Sequence, residues 1–171
     1  MRKLILSSWM IMVLVIISAC SFMSNKELAN NRLDEILKYI ESKDEESMKG
    51  IFSQKALEED EYFYDKLNYL FGVIEGEITS IDYGDGPIVD RKRHNGSKVV
   101  EVKSAFEVET ADEKYIVFVI EYTMDTENPE NKGVYSLRII NADDMDTQYG
   151  SWQSMVIPGI YMPDESIEIS E

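Results

Sequence analysis

KYIVFVIEYTM, Lys114 to Met124, decides the fold. Side chains alternate between the two faces of a strand. Tyr115, Val117 and Val119 therefore share one face, and Ile116, Phe118, Ile120 and Tyr122 the other. Both faces are apolar, so the segment reads as a central strand covered on both sides.

Outward from it, β-branched residues and two-residue periodicity continue. VIEGEITSIDYG (73–84), PIVDRKR (87–93) and KVVEVKSAFEVET (98–110) precede it, and GVYSLRIINA (133–142) follows. Five strands is the simplest count. His94-Asn95-Gly96-Ser97 is a hairpin signal, because Asn-Gly supplies the two positive-φ residues of a tight turn. Thr110 to Lys114 forms a second turn. Pro129 excludes a central strand from Asp125 to Gly133.

Upstream the period changes to that of a helix. Ser24-Asn25-Lys26-Glu27 has the capping-box pattern, and Ala29, Leu33, Ile36, Leu37 and Ile40 form one stripe behind it. Ser42 to Glu45 repeats that pattern ahead of a short helix carrying Met48, Ile51 and Phe52. Leu57, Phe63, Tyr64, Leu67, Leu70 and Phe71 place a third helix over about 56–71. Helices first and strands afterwards give an α+β domain, with N-terminal helices packed in the concave face of a curved antiparallel sheet of about five strands.

The 171 residues suit one domain. Lys and Arg number 17 against 33 Asp and Glu, and a net charge of −16 repels phosphate backbones, so no nucleic-acid partner is expected. Eighteen aromatic residues are too many for a disordered acidic chain. One cysteine, Cys20, cannot form an internal disulfide, and one histidine, His94, cannot supply paired imidazoles for zinc. No metal site and no cofactor are expected.

Met1-Arg2-Lys3 followed by the apolar run Leu4 to Ile17 has the outline of an export signal, short of the about 20 apolar residues that a span needs, with a retained anchor as the less favoured alternative. Ile17-Ser18-Ala19-Cys20 closes it and resembles the lipobox of bacterial lipoproteins. The resemblance implies cleavage before Cys20 and a diacylglyceryl thioether on its sulfur, and two acyl chains hold a protein to a bilayer where one does not. An ordinary signal peptide that happens to contain a cysteine is the alternative, and it too implies export. Removing residues 1–19 takes away Arg2 and Lys3, so 17 basic residues become 15 and the net charge moves from −16 to −18.

SKDEESMKGIFS (42–53), DTENPENKGVYSLRII (125–140), GSWQ (150–153) and PGIYMP (158–163), all behind a lipobox, carry a wider resemblance. The chain resembles a nuclear-transport-factor-2-like (cystatin-like) domain, in particular a lipoprotein family of unknown function from Gram-positive Firmicutes. That implies a cone-shaped fold and carries over no catalytic residue. The organisation expected is a signal peptide at 1–19, a lipidated tether at 20–25, the domain at 26–163 and an acidic tail at 164–171.

Relatives of that fold include ketosteroid isomerases and polyketide cyclases, whose chemistry sets a carboxylate base and a proton donor in a dry pocket. Tyr64, Tyr69, Tyr115 and Tyr122 are the candidate pocket residues, and packing is the competing account of each. Arg91, Lys92, Arg93 and Lys98 form the basic cluster of an acidic chain, a candidate contact for an anionic partner, with a solvated hairpin tip as the alternative. Asp143-Asp144-Met145-Asp146, with the neighbouring Gln148 and Gly150, invites a calcium reading, a solvated acidic loop being the alternative. Counted from Asp144, however, an EF-hand needs Gly sixth and Glu twelfth, where Tyr149 and Met155 stand. Trp152, Tyr149 and Tyr161 could form an aromatic shelf or fold over the domain.

Nucleophile-elbow, phosphate-loop and His-Glu-x-x-His motifs are lacking. The expected function is a membrane-anchored, extracytoplasmic lipoprotein that binds a small ligand or a protein without catalysis. An enzyme using the cone, and an assembly protein at the membrane, are the alternatives.

Overall fold

The computed structural model describes residues 24–148, 151–152 and 156–163. Cys20, the segment 1–19 and the tail 164–171 lie outside them.

Helix α1, Asn25–Ser42, starts where Ser24 accepts a hydrogen bond from the Glu27 amide at 3.1 Å. The stripe read from the sequence, Ala29, Leu33, Ile36, Leu37 and Ile40, is its buried face. Lys43, at φ 52°, ends the helix in the left-handed conformation, with its amide on Ile40 O. The next cap differs from the one expected. Ser42 finishes α1, its hydroxyl donating to Lys38 O at 2.8 Å, and Asp44 caps α2, Glu45–Ile51, by accepting from Ser47 N at 3.0 Å. The turn at Lys43 separates Ser42 from the new helix, so the next acceptor in line takes the role.

The single helix expected over 56–71 is two, α3, Gln54–Glu59, and α4, Phe63–Val73. The break falls at Asp60, inside an acidic run that reads as solvated surface. Its carboxylate is instead buried, accepting from Lys66 Nζ at 2.6 Å, Tyr62 N at 3.3 Å and Ile160 N at 3.1 Å. A carboxylate sealed from water needs such partners, and gathering them turns the chain.

Six strands form a mixed, open sheet: β1, Ser80–Asp82; β2, Ile88–His94; β3, Ser97–Glu109; β4, Lys114–Asp125; β5, Gly133–Asn141; and β6, Gly159–Ile160. The order is β1-β3-β4-β5-β6, with β2 pairing the other end of β3. All pairs are antiparallel except β5 with β6. Two expectations are corrected here. Of residues 73–84 only Ser80–Asp82 is strand, because Val73 ends α4 while Ile74 and Ile78 pack on the core from the loop. The sixth strand, parallel, comes from a tail without alternation.

β4 is central, as expected. Tyr115, Val117 and Val119 face the helices, while Phe118 packs on the other side against Ile140, Ile116, Met145 and Trp152. Register shifts at Val100/Glu101 and Ile120/Glu121 mark bulges, which bend strands and raise their twist. Asn95 (φ 46°) and Gly96 (φ 89°) make the two-residue turn of the β2–β3 hairpin.

Leu33, Ile36, Met48, Leu67 and Leu70 from the helices meet Val102, Val117, Leu137 and Ile139 from the sheet, all essentially without solvent contact. The concave face is therefore filled by side chains. A polar bridge spans the helix–sheet seam: Arg32 on α1 holds Glu121 on β4 through two hydrogen bonds, Nε to Oε2 at 3.0 Å and Nη2 to Oε1 at 2.8 Å.

The connection 125–133 is organised by Asp125. Its buried carboxylate accepts from Glu127 N at 3.0 Å, Asn128 N at 2.8 Å and Asn131 Nδ2 at 2.8 Å. Burial works against the charge, but these donors outweigh it and hold the carboxyl below its ordinary value of 3.8. A depressed folded value means a contribution complete above 3.8 and lost as pH falls through the lower, folded value. Asp125→Ala is expected to cost about 1–2 kcal/mol near neutral pH. Urea midpoints of the two proteins should converge once the pH falls below the folded value. A gap that stays constant would contradict this account.

Candidate functional site

A recess of about 430 Å³ opens at the end of the sheet where α4 gives way to its loop. Tyr69 reaches it from α4, Tyr115 from the second residue of β4, and Asn141 from the last residue of β5. Glu75, Glu113, Asp144 and Gln148 complete the polar lining, with Val73, Ile139, Ile140 and Pro163 as apolar wall.

The lining is cross-linked. Tyr115, only 4% exposed, accepts a hydrogen bond from the Glu75 amide at 3.1 Å, which ties the loop after α4 to the central strand. Asn141 donates from Nδ2 to the Glu113 carboxylate and accepts from Asp143 N at 3.0 Å. Gln148 donates to Asp144 at 3.2 Å. Burial, and then the neighbouring Tyr161 and Asp144, push the Tyr69 hydroxyl above its ordinary value, so it stays a neutral phenol at physiological pH. Three carboxylates, two phenols and two amides over an apolar wall suit a ligand that offers hydrogen-bond donors or positive charge beside an apolar body.

The four candidate tyrosines do not converge. Tyr69 and Tyr115 share the recess. Tyr64 is exposed and receives Lys49 Nζ at 2.5 Å, with the ammonium 5.1 Å from its ring centre. At 100° per residue, five positions set Tyr64 and Tyr69 about 140° apart on α4. Tyr122 lies on the opposite sheet face, seven residues from Tyr115, because an odd interval on a strand reverses the face. There it donates to Glu101 at 3.3 Å and meets Tyr135 edge-on, with centroids 5.6 Å apart. Tyr135 donates in turn to Glu59 at 2.9 Å. Burial first, and Glu101 second, push Tyr122 up to about 12, and burial with Glu59 does the same for Tyr135.

Arg91, Lys92, Arg93 and Lys98 are exposed on the β2–β3 hairpin, and His94 is its turn residue, beside Asn95 Nδ2 at 2.9 Å. Asp143 and Asp144 belong to a 3-10 turn and Asp146 to the one-turn helix α5, Met145–Gln148. Tyr149 lies outside the described residues. The other tail aromatics pack on the sheet rather than forming a shelf. Trp152 meets Phe118 edge-on at 5.7 Å, and the Arg138 guanidinium sits 3.7 Å from the centre of the Tyr161 ring. Among the described residues no helix is long and apolar enough to cross a membrane.

Glu75, Glu113 and Asn141 belong to no motif in the sequence, and Gln148 stands out there only beside the acidic run 143–146. All four stand in turns or at the ends of elements: the Tyr115 hydroxyl holds the Glu75 amide, the pairing of β4 with β5 brings Glu113 to Asn141, and the turn after β5 carries Gln148.

A family model described as Domain of unknown function (DUF5104) matches residues 35–142. No curated protein matches the chain. The matched stretch runs from within α1 to the end of β5. It includes Tyr69, Tyr115, Glu113 and Asn141, and stops short of Cys20 and of β6.

Proposed function

This chain belongs to the DUF5104 family, whose description names no activity, and from that premise we propose that it is a lipid-anchored, extracytoplasmic binding module whose ligand site is the recess around Tyr69 and Tyr115. The observation that carries the proposal is the convergence of three carboxylates, two phenols and two amides on one recess. The concave interior is occupied by Leu33, Ile36, Met48, Leu67 and Leu70 against the sheet, while the open, polar recess lies at the rim. A shallow rim recess fixed by backbone and amide hydrogen bonds holds a ligand without the water exclusion that isomerase or cyclase chemistry needs.

The assembly reading calls for a bare apolar outer face on the sheet. Trp152 and Met145 cover part of that face, and Glu101, Lys103 and Arg138 occupy more of it. Membership in the lipoprotein group, the cone-shaped nuclear-transport-factor-2-like class and lipidation at Cys20 belong to this proposal, supported by the lipobox-like sequence Ile17 to Cys20.

Native mass spectrometry of the chain purified from bacterial membranes tests both halves. The intact mass should lack residues 1–19 and carry a diacylglyceryl group, absent in Cys20→Ser. A co-purifying adduct should be retained by the wild type and lost in Tyr69→Ala with Tyr115→Phe. An unmodified Cys20 would remove the anchor. An adduct that is absent, or indifferent to both tyrosines, would remove the site.

A further inference from the structure

The β2–β3 hairpin gathers four exposed cations, Arg91, Lys92, Arg93 and Lys98, within eight residues of an acidic chain. Arg32, Lys55, Lys66, Lys103 and Lys114 each pair with a carboxylate. Among the described residues, no carboxylate lies within the 4 Å ion-pair distance of Arg91, Arg93 or Lys98, in a chain with almost twice as many acidic as basic residues.

The register places these three on one face. Arg91 is paired with Val100 and Arg93 with Lys98. Directly paired side chains share a face, and Val89 and Val100 pack on the helix-covered core. Arg91, Arg93 and Lys98 therefore line the helix side of the hairpin, together with Met124, paired with Val100 and 43% exposed. Lys92 points to the other face, with Asp90. The pairing of Arg93 directly with Lys98 sets like charges side by side, an arrangement that costs stability unless an anion lies against it.

The same edge carries the start of α1. Lys26 Nζ donates to Gly84 O at 2.9 Å and its side chain lies against Gly86, two residues before β2 begins. Asn25 lies five residue steps from Cys20, a span of at most about 17 Å. Ile88 to Arg93 also spans about 17 Å along the strand. A lipid on Cys20 and the three cations can thus reach one plane together.

We propose that Arg91, Arg93 and Lys98 dock on anionic phospholipid headgroups and orient the tethered domain hairpin-down on its own membrane. The orientation rests on the lipid anchor proposed above. The docking does not. With a net charge of −18 after loss of residues 1–19, most of the surface is repelled by an anionic bilayer, and the hairpin is the part that is drawn to it. The apolar Met124 side chain fits the headgroup boundary beside the cations. Each basic residue near such a surface favours binding by about fivefold, so three bias the orientation by about a hundredfold.

The test uses the protein as purified from bacterial membranes with His94→Cys carrying a thiol-reactive fluorophore, Cys20 being blocked by its lipid. It is reconstituted in phosphatidylcholine vesicles with and without about 30% phosphatidylglycerol, both containing nitroxide headgroups as quencher. Quenching should be about threefold stronger in anionic vesicles. It should fall to the neutral value at about 0.5 M salt, and in Arg91→Glu/Arg93→Glu/Lys98→Glu. Lys38→Glu/Lys43→Glu/Lys49→Glu changes net charge equally and should keep the quenching. Equal quenching in both vesicles overturns the proposal, as does equal loss in the two triple variants, or protection of the fluorophore by soluble polyphosphate without any lipid dependence.

Vesicle flotation separates this from the anchor. Protein that fails to float with neutral vesicles refutes the anchor. In that case, flotation with anionic vesicles that the hairpin variant abolishes still upholds docking, and flotation with neither refutes both.

Discussion

Gly159→Ala is expected to destabilise the domain by about 3–5 kcal/mol, a loss large enough to unfold many domains of this size. A Cβ on residue 159 would stand 2.0 Å from Asp60 Oδ2 and 2.7 Å from Asp60 Cβ and Cγ. The backbone there, at φ 81°, is one that L side chains rarely adopt, which adds about 1–2 kcal/mol. Asp60 cannot swing aside, because Lys66, Tyr62 N and Ile160 N hold its carboxylate in a site its side chain leaves only 1% exposed. Moving it strands a buried charge and a buried amide.

Asp60→Ala alone should cost about 3 kcal/mol for the same reason, yet it removes the atoms that the new methyl would strike. The double variant Asp60→Ala/Gly159→Ala should therefore be more stable than the sum of its parts by about 1–3 kcal/mol in urea unfolding. Strict additivity would show that the obstruction lies elsewhere.

Asp60 also marks where reading the sequence stops. Local periodicity was enough for α1, whose five apolar residues each fall on the buried side. β4 was equally plain, since only a strand with neighbours on both faces is apolar at every position from Tyr115 to Ile120. The Asn95-Gly96 turn follows from backbone sterics alone. Asp60 looks like its neighbours Glu58, Glu59 and Glu61, and what distinguishes it is a contact with Ile160, a hundred residues away. Gly159–Ile160 is too short to show a period, and it becomes a strand only because β5 offers an edge and Asp60 receives its amide.

The recess divides in the same way. Tyr69 and Tyr115 were legible as aromatic residues on two elements, but parity on β4 and angle on α4 sent Tyr122 and Tyr64 elsewhere. Glu113 and Asn141 become neighbours through the Tyr115–Asn141 register of β4 with β5. Turn residues carry no periodic signal, so their convergence is a property of topology. The Asp60–Ile160 contact and the recess meet in the tail: Pro163 lines the recess and Tyr161 stands near Tyr69, just beyond the β6 backbone that Asp60 holds. A domain that loses the Asp60–Ile160 contact should for that reason lose the wall of the recess before it loses its helices.

The second large effect is expected at Arg32. Its guanidinium bridges α1 to β4 by a two-point contact with Glu121, a residue 6% exposed, and its remaining side reaches Glu35 at 2.5 Å. Burial opposes the charge on Arg32, but the Glu121 bonds outweigh it and raise its pKa further. Arg32→Met fills similar volume and leaves the Glu121 carboxylate without that partner in an apolar seam, which should cost about 3–5 kcal/mol. Removing both charges is different in kind. Arg32→Met/Glu121→Met exchanges the buried pair for apolar contact with Leu33, Val102 and Val134 nearby, and should recover most of the loss. Urea unfolding of the two variants distinguishes a bridge that stabilises from one that chiefly fixes α1 against the sheet. If the double variant is stable but its Tyr83–Asp34 bond, 2.7 Å in the native fold, no longer protects the tyrosine hydroxyl, the pair acts by setting the register of α1. If the double variant is as unstable as Arg32→Met, the pair contributes net free energy of its own.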